Sequence, residues 1–371
     1  MTNVGILSLY FNNSNYGGLL QAYALLHVIG KMGYQCKQIS YDWNSEDIRS
    51  SNLVRTLVHP IRAFVFGKWY KDYCNGVKLL KKFELSIPHT KIVNSKTISS
   101  LNRDFDFFIC GSDQVWNPLF WQDSFFLSFV EPGKKKIAYA ASMARNGLSA
   151  SEANYALKMM QGFSKISLRE IESVKALQEY NKSFFAEVMP DPTLLLTSDE
   201  WEQITTEPVV SEPYIFAYFL GDNSSARNAS IGYAKNEGKK IVFISSLLIE
   251  SRKWEMANHN AILSNIGVND FLSLIKYADL VITDSFHGSV FSSIFGVPFI
   301  TFNRSKDNNL ESMNSRITTL MSMLGIKRNI KTIECGKDYS FTTDETKTIK
   351  KALKDQREKG IEFLKEALST I

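Results

Sequence analysis

Apolar runs, polar turns and amphipathic helices alternate along the whole chain. The clearest unit has an apolar run at 278–282, a polar cluster at 283–288 and apolar residues at helical spacing over 290–295. Gly-Val-Pro at 296–298 ends this predicted helix, and residues 299–302 form the next strand. A buried parallel strand, a polar turn and a helix place reactive side chains at the carboxyl end of a sheet.

The polar turn of this unit contains His287, one of five histidines in the chain. A helix N-terminus attracts anions, and histidine exchanges protons near neutral pH. Two interpretations stay open. Ser285 and His287 belong to a binding or catalytic site, or Ser285 caps the helix while His287 packs in the core.

A similar unit begins the chain. Residues 4–10 form a predicted buried strand, the loop 11–18 is rich in Asn and Gly, and a helix and a strand at 38–41 follow. Asn and Gly tolerate positive φ, which lets backbone N–H groups approach a ligand closely. The loop is predicted either to hold a phosphate or a sugar, or to be an ordinary βα turn.

A third polar turn, at 111–118, follows a predicted strand at 105–110. Ser112 and Asp113 can bind or deprotonate a hydroxyl group, and Trp116 can stack on a sugar ring. This density of polar and aromatic groups after a strand favours a ligand crevice over a structural turn.

Arginine side chains are predicted near the same edge. Arg169 ends the short strand 165–170 beside Glu170. An arginine there can clamp a carboxylate or phosphate bidentately, or it can form a structural ion pair. Arg304 and Arg316 lie in a later polar loop and helix, within reach of the same crevice.

The length and the repeated strand–helix pattern predict two α/β domains, because 371 residues exceed one typical core. The Pro-containing stretch 190–213 interrupts the pattern and is predicted to be a linker. We assign residues 1–195 to a first Rossmann-like domain and 196–330 to a second. Residues 331–371 are predicted to form a C-terminal helix that packs back on the first domain.

Composition adds few constraints. The net charge of +5 permits anionic substrates or lipid headgroups but does not indicate nucleic acid. The N-terminus lacks the pattern of a secretory signal, and no run approaches the ~20 apolar residues of a spanning helix. The four cysteines have no metal-ligand spacing. We therefore expect a cytoplasmic protein with no bound metal and no nucleic-acid partner.

Residues 53–83 differ from the rest because Lys and Arg alternate there with Phe, Trp, Tyr and Leu. A basic, aromatic amphipathic helix can lie on an anionic membrane surface. Long Lys side chains over a packed helix face would give the same pattern. Peripheral contact with the inner face of the cell membrane is therefore one of two interpretations.

Five motifs, in this order, resemble the polysaccharide pyruvyl transferase family. They are N-Y-G-G-L-L-Q-A-Y-A-L at 15–25, G-S-D-Q-V-W-N-P at 111–118, S-L-R-E at 167–170, D-P-T-L-L-L at 191–196 and S-F-H-G at 285–288. Together they span nearly the whole chain. The resemblance implies a fold similar to the GT-B glycosyltransferases, with two Rossmann-like domains facing each other across a cleft.

The resemblance also implies a reaction. Members of the family transfer the enolpyruvyl group of phosphoenolpyruvate onto two sugar hydroxyls, which forms a cyclic ketal and releases phosphate. The expected acceptor is a galactose- or mannosamine-type sugar of a bacterial capsule or exopolysaccharide, or of its polyprenyl-diphosphate-linked precursor. The first domain would bind the acceptor and the second the donor, and no cofactor besides the donor is expected.

The matching motifs imply roles for particular residues of this chain. Phosphoenolpyruvate is highly anionic, so its site needs cations and helix N-termini. His287 is the expected general acid, and Asp113 is the candidate base. The residues expected to bind phosphoenolpyruvate are Arg169, Ser285, Phe286, Gly288, Arg304 and Arg316. Those expected to bind the acceptor are Asn15, Tyr16, Gly17, Gly18, Ser112, Gln114, Trp116 and Asn117.

The chain departs from the family pattern at one position, and two other functions remain as alternatives to pyruvyl transfer. Some family members carry an arginine two residues before the histidine, where this chain has Ser285. Either the Ser285 hydroxyl and the N–H groups of the helix suffice there, or Arg304 or Arg316 supplies the missing charge. A nucleotide-sugar glycosyltransferase could share the fold, but no acidic or ribose-binding pair stands out in the second half. A non-catalytic scaffold of polysaccharide assembly, held to the membrane through residues 53–83, is the other rival.

Overall fold

The protein contains two parallel β-sheets, as seen in a computed structural model that describes residues 2–43, 67, 71–72, 74–221, 223–245, 252–304 and 314–369. The first half consists of β1 (Asn3–Leu7), α1 (Tyr16–Lys31), β2 (Gln35–Gln38), α2 (74–86), β3 (Phe107–Cys110), β4 (Lys135–Ala141), α3 (Ala150–Met159), β5 (Lys165–Leu168), α4 (Ile171–Gln178) and β6 (Glu187–Val188). The second half consists of α5 (Ser198–Glu202), β7 (Tyr214–Tyr218), α6 (Ser224–Asn236), β8 (Lys240–Ile244), α7 (Arg252–Ala257), β9 (Ile262–Leu263), α8 (Val268–Lys276), β10 (Leu280–Thr283), α9 (Phe286–Phe295), β11 (Phe299–Phe302), α10 (Ser315–Leu324), β12 (Asn329–Ile330) and α11 (Thr343–Ser369).

Each sheet has six parallel strands. The orders are β2-β1-β3-β4-β5-β6 and β12-β11-β10-β7-β8-β9. The second is the doubly wound Rossmann order. In each sheet the order of the strands reverses at a switch point, which lies between β1 and β3 in the first sheet and between β7 and β10 in the second. The prediction of two parallel α/β domains is confirmed. Ligands of such sheets bind beyond the carboxyl ends of the strands at the switch point.

Local sequence explains why the central elements form where they do. Strands β3, β7, β10 and β11 are buried along their whole length, as apolar runs in a covered parallel sheet require. Ser285 is the N-cap of helix α9, and its side chain accepts a hydrogen bond from the Gly288 N–H. It ends at Gly296, whose φ of +70° favours glycine. These local signals place His287 at the first turn of α9.

The two domains share one apolar core, in which helix α1 of the first meets α8 of the second. The Tyr16 ring stacks on Phe271 at 4.6 Å, and its hydroxyl donates to the Ile266 carbonyl at 3.0 Å. Helix α11 then bridges the halves. Near its start Glu345 pairs with Arg328 beside β12, and near its end Phe363 packs on Tyr139 of β4.

The structure corrects two predictions about connections. Strand β2 covers Gln35–Gln38 rather than 38–41, and Tyr41 makes only an isolated bridge, to Val93. The prediction of a linker is wrong for the first part of the stretch 190–213. Residues Pro192–Leu195 form a buried 3-10 turn between α1 and α11, and Trp201 of α5 is completely buried. Four closely spaced apolar side chains at 194–196 and 201 give this segment enough hydrophobic surface to pack as part of the core.

Candidate active site between the two sheets

The carboxyl ends of the two sheets meet around the buried carboxylate of Asp191. Its Oδ2 accepts a hydrogen bond from Arg169 Nη1 at 2.7 Å and lies 3.7 Å from His287 Nε2. Ser112 Oγ donates to the same oxygen at 3.3 Å, while Oδ1 accepts from the Thr193 N–H and hydroxyl. Asp191 comes from the first half and His287 from the second, so the domain arrangement brings this pair together. We call the cluster of Asp113, Arg169, Asp191, His287, Arg304 and Arg316 the interdomain site.

His287 lies at the start of α9 with 7% of its surface exposed. A Cβ atom on Gly17 would collide with the imidazole at Nδ1, Cγ and Cε1, so the first turn of α1 needs glycine there. Within the described residues Nε2 has no hydrogen-bond partner, and Asp191 is within ion-pair distance of it. Histidine commonly donates and accepts protons in catalysis, so this imidazole is a candidate for proton transfer.

Arg169 is 2% exposed and is surrounded by three carboxylates. Besides Asp191, these are Glu170 at 3.2 Å from Nε and Asp113 at 3.8 Å from Nη2. Its guanidinium carbon also lies 4.7 Å from the centre of the Phe286 ring. Burial by itself lowers the pKa of Arg169, but the charges of Glu170, Asp191 and Asp113 raise it above the ordinary value. The guanidinium therefore stays charged and fixes the carboxylates around it.

Charge balance sets the protonation of Asp191. Burial by itself raises its pKa, but the polar contact with His287 and its positive charge, the charge of Arg169 and the Thr193 N–H bring the pKa well below its ordinary value. Asp191 is therefore an anion at neutral pH, and it gives the His287 imidazole a negatively charged neighbour.

Two further arginines give the other side of the site positive charge. Arg304 Nη2 donates to the Asp284 carbonyl at 3.3 Å, and Arg316 of α10 is buried nearby. Burial and the charges of Arg304 and Arg169 lower the pKa of Arg316 to about 9, although Glu170 and Asp113 act in the opposite direction. Guanidinium groups on this side of the site can pair with the anionic groups of a ligand.

The remaining donor candidates have structural contacts. The Ser285 hydroxyl caps α9, and the Phe286 ring covers Arg169. Gly288 lies so close to Thr283 that a Cβ atom there would come within 2.7 Å of its Oγ1. The side chain at 285 thus holds the start of the helix.

Helix α1 contains the first group of predicted acceptor residues. Asn15 caps the helix by accepting from the Gly17 N–H at 2.9 Å, and a Cβ on Gly18 would collide with the Asn13 side chain. Gly17 touches His287 as described. Tyr16 is buried in the contact between α1 and α8 and does not line the site.

The loop after β3 contains the second group. Ser112 donates from Oγ to the Ala140 carbonyl at 2.8 Å, and Asp113 faces Arg169. The Gln114 side chain accepts a hydrogen bond from Asn117 Nδ2 at 3.0 Å, and Asn117 Oδ1 caps the turn that follows. The loop thus supplies Ser112 and Asp113 to the interdomain site, while Asn117 holds the turn.

The predicted role of Trp116 as a platform for a sugar is wrong. Its side chain is completely buried, its ring stacks on Phe126 at 5.2 Å, and its Nε1 donates to the Phe125 carbonyl at 3.0 Å. The apolar residues that follow the turn fold back over the indole, so neither of its faces is open to a ligand.

Sequence reasoning missed the role of Asp191, whereas the ion pair of Arg169 with Glu170 is one of the two alternatives it left open, and the structure has this pair at 3.2 Å. Asp191 lies in one of the five motifs but also at the start of the predicted linker, and Asp followed by Pro-Thr is typical of a capping turn. Glu170 is completely buried and accepts from Ser142 Oγ at 2.5 Å. A charged residue directly after a buried strand is the available signal for Glu170.

Comparison with known proteins identifies the family. The model of the polysaccharide pyruvyl transferase family matches residues 15–306 of this chain. The chain belongs to the polysaccharide pyruvyl transferase family. The resemblance predicted from the five motifs is therefore confirmed, and the family is one of enzymes. Within the interdomain site, Arg316 is the residue that lies outside the matched range. No curated protein matches the chain in a sequence search.

Solved structures show the same fold at very low sequence identity. The UDP complex of MnaA from S. aureus is 12% identical, with a TM-score of 0.52, and the alignment covers 99% of this chain and 91% of that one. A putative UDP-N-acetylglucosamine 2-epimerase from Listeria monocytogenes is 10% identical, with a TM-score of 0.50 and the same coverage. These proteins have the GT-B fold, so the fold prediction is confirmed.

Proposed function

We propose that this protein transfers the enolpyruvyl group of phosphoenolpyruvate onto two hydroxyls of one sugar. The sugar would belong to a surface polysaccharide or to its lipid-linked precursor, and phosphate would be released. Family membership supports pyruvyl transfer to a polysaccharide. The observation that carries the proposal is the contact of His287 with Asp191 between the two sheets, next to a group of arginines.

The donor would bind with its anionic groups toward Arg304 and Arg316. Phosphoenolpyruvate has a phosphate and a carboxylate at neutral pH, and buried guanidinium groups together with the N-terminus of α9 suit both. The lowered pKa of Arg316 supports this orientation, because a bound anion would offset the repulsion among the arginines. Arg169 would act indirectly by fixing Asp191, Glu170 and Asp113.

The reaction would begin with a proton from His287. Protonation of the methylene carbon of phosphoenolpyruvate leaves a cation at C2, which the first sugar hydroxyl attacks. Phosphate then leaves with the electrons of its bond to C2, and the second hydroxyl closes the ketal. The two hydroxyls lose two protons in total. One replaces the proton that His287 gave to the methylene carbon and the other leaves with the phosphate, and Asp113 would accept one of them on the way. Asp191 would orient the imidazole through the contact at 3.7 Å.

The first test is a mass balance. Wild-type protein with phosphoenolpyruvate and a matching acceptor should release one phosphate for each product formed. The product should be about 70 Da heavier than the acceptor, because ketal formation adds one pyruvate to a diol and removes one water. Phosphate assays and mass spectrometry of lipid-linked galactose- and mannosamine-type acceptors measure both quantities. Turnover of a nucleotide sugar, with no phosphate released from phosphoenolpyruvate, would instead support a glycosyltransferase.

Contact with a membrane surface belongs to the same proposal. Most of the basic, aromatic stretch 53–83 lies outside the described residues, but its last residues belong to helix α2 at 74–86. Lys78 and Lys82 of α2 are exposed, and so is Lys71, which precedes this helix. Lys81 lies between Glu84 and Asn12. In the described part of the chain, no helix combines the length and the apolar character that crossing a bilayer requires. Through these exposed lysines the protein would reach a lipid-linked acceptor at the membrane surface.

Replacing Lys71, Lys78 and Lys82 together with glutamine should weaken binding to anionic vesicles. Each basic side chain near an anionic surface contributes about 1 kcal/mol. Flotation with phosphatidylserine-containing vesicles should show less bound protein for the triple variant, and salt should weaken wild-type binding. Replacing the exposed Lys347, Lys350 and Lys351 of α11 with glutamine removes the same charge elsewhere. Equal flotation of the two triple variants would contradict contact through α2.

A further inference from the structure

A second concave feature lies beside the interdomain site, in the first domain. It is a pocket of about 320 Å³. Its wall includes Phe11, Asn12, Ser14, Asp42, Trp43 and Phe120. Residues 9–14 follow β1, residues 41–43 follow β2, and Phe120 follows β3, so the pocket lies at the carboxyl edge of the first sheet, as the interdomain site does.

The lining of this pocket combines aromatic rings with polar groups. The rings of Trp43 and Phe120 lie 6.2 Å apart at an angle of 35°, and both side chains are half-buried rather than enclosed. Asn12, Ser14 and Asp42 contribute an amide, a hydroxyl and a carboxylate. A pyranose ring has apolar C–H faces and a rim of hydroxyls, so it needs such a pairing of flat aromatic surface and hydrogen-bonding groups. The volume matches the lower end of small-molecule sites, ~300 Å³.

The pocket wall continues into the surroundings of His287. Asn13 lines the pocket, and its amide occupies the space that a Cβ on Gly18 would need. The next residue back, Gly17, touches the imidazole of His287. The loop after β1 and the first turn of α1 therefore connect the pocket wall to the surroundings of His287.

We propose that this pocket binds the sugar ring of the acceptor and that Trp43 is its stacking platform. The assignment rests on the proposed pyruvyl transfer, because it supplies the second substrate of that reaction. Trp43 thus takes the role predicted for Trp116, because Trp116 is enclosed in the core and Trp43 remains accessible.

Binding can be tested without the reaction. Saturation-transfer NMR of the wild-type protein with methyl β-galactoside or methyl N-acetyl-β-mannosaminide should show contact with at least one sugar. Trp43→Ala should weaken this binding by roughly tenfold or more, as the loss of an aromatic anchor typically does. Trp43→Phe, which keeps a flat ring, should restore much of it. No saturation transfer from the wild-type protein to either sugar, or a transfer signal that Trp43→Ala leaves unchanged, would overturn the assignment.

Kinetics then tests the link to catalysis. Trp43→Ala and Phe120→Ala should raise the KM of the acceptor by roughly tenfold or more while the KM of phosphoenolpyruvate stays within about twofold. Phe185→Ala is the matched control because this phenylalanine is 77% exposed and lies far along the chain from the pocket. Equal changes in both KM values would overturn the assignment by indicating general damage to the site.

Failure of the pocket and failure of the proposed function give different results. Sugar binding that depends on Trp43, without phosphate release from phosphoenolpyruvate, would support the pocket and refute the reaction. Phosphate release and ketal formation that Trp43→Ala leaves unchanged would support the reaction and refute the pocket.

Discussion

Replacing His287 with alanine is expected to lower kcat for ketal formation by about 10²–10⁴-fold, the range typical of a lost general acid. Nε2 lies 3.7 Å from Asp191 Oδ2, where the imidazole can hold a proton and release it to the methylene carbon of the donor. Phosphate release at saturating donor and acceptor measures kcat directly. His287→Gln keeps a polar side chain but carries no proton it can transfer, so it should be as slow as His287→Ala.

The matched control is His259→Ala, because His259 is an exposed histidine of the second domain. It should have wild-type kcat. A His287→Ala variant whose kcat stays within about tenfold of wild type would refute the role of general acid. A non-catalytic scaffold makes a different prediction, because its phenotype would survive the loss of the imidazole.

Gly17 offers a way to displace the same imidazole without replacing it. Because a Cβ on Gly17 would collide with His287, Gly17→Ala should lower kcat toward the value of His287→Ala. Gly30→Ala in the same helix is the control, since the nearest atom to its Cβ is Cys36 Sγ at 4.0 Å. Alanine is favoured over glycine in a helix interior by about 1 kcal/mol, so Gly30→Ala should be neutral or stabilising. Equal loss of activity in both variants would implicate helix α1 as a whole.

The sequence predicted the framework around His287 well because the signals there are local. Strand β11 has the predicted bounds, and β10 lies within the predicted apolar run and the first residue of the turn. A parallel strand covered on both faces is a continuous apolar run, and a Ser cap and a Gly stop mark the two ends of α9. The polar turn between β10 and α9 therefore had to lie at the carboxyl edge of the sheet.

The partners of these residues could not be predicted in the same way. Arg169 and Asp191 are 22 residues apart and come together only because a buried turn brings Asp191 under the sheet edge. Whether a side chain faces a ligand also depends on distant residues. Trp116 is covered by Phe126, whereas Trp43 stays half-buried beside Phe120. Composition of a turn indicates a site, but packing decides which aromatic remains open.

Arg169→Lys is expected to lower the free energy of unfolding by about 1.5–3 kcal/mol, the contribution of one hydrogen bond to a charged group, because lysine keeps the charge but loses the planar set of donors. The guanidinium contacts Asp191, Glu170 and Asp113 at the same time, and the single ammonium of lysine cannot reproduce that geometry. Urea unfolding followed by tryptophan fluorescence measures the difference. Arg103→Lys is the control, because Arg103 forms an exposed pair with Asp104 at 3.7 Å and should change stability by less than about 1 kcal/mol.

The pH dependence of unfolding shows whether the charge of Asp191 is what Arg169 stabilises. The pKa of Asp191 is lower in the folded protein than in the unfolded chain, so the unfolded chain takes up the proton first as the pH falls. The stability contributed by the carboxylate is therefore fully present above the unfolded pKa of about 3.9 and is lost as the pH falls toward the folded value. The advantage of wild type over Asp191→Asn should be largest near neutral pH and should shrink below about pH 4. An advantage that stays constant across this range would mean that shape and hydrogen bonding, rather than charge, hold the centre of the site together.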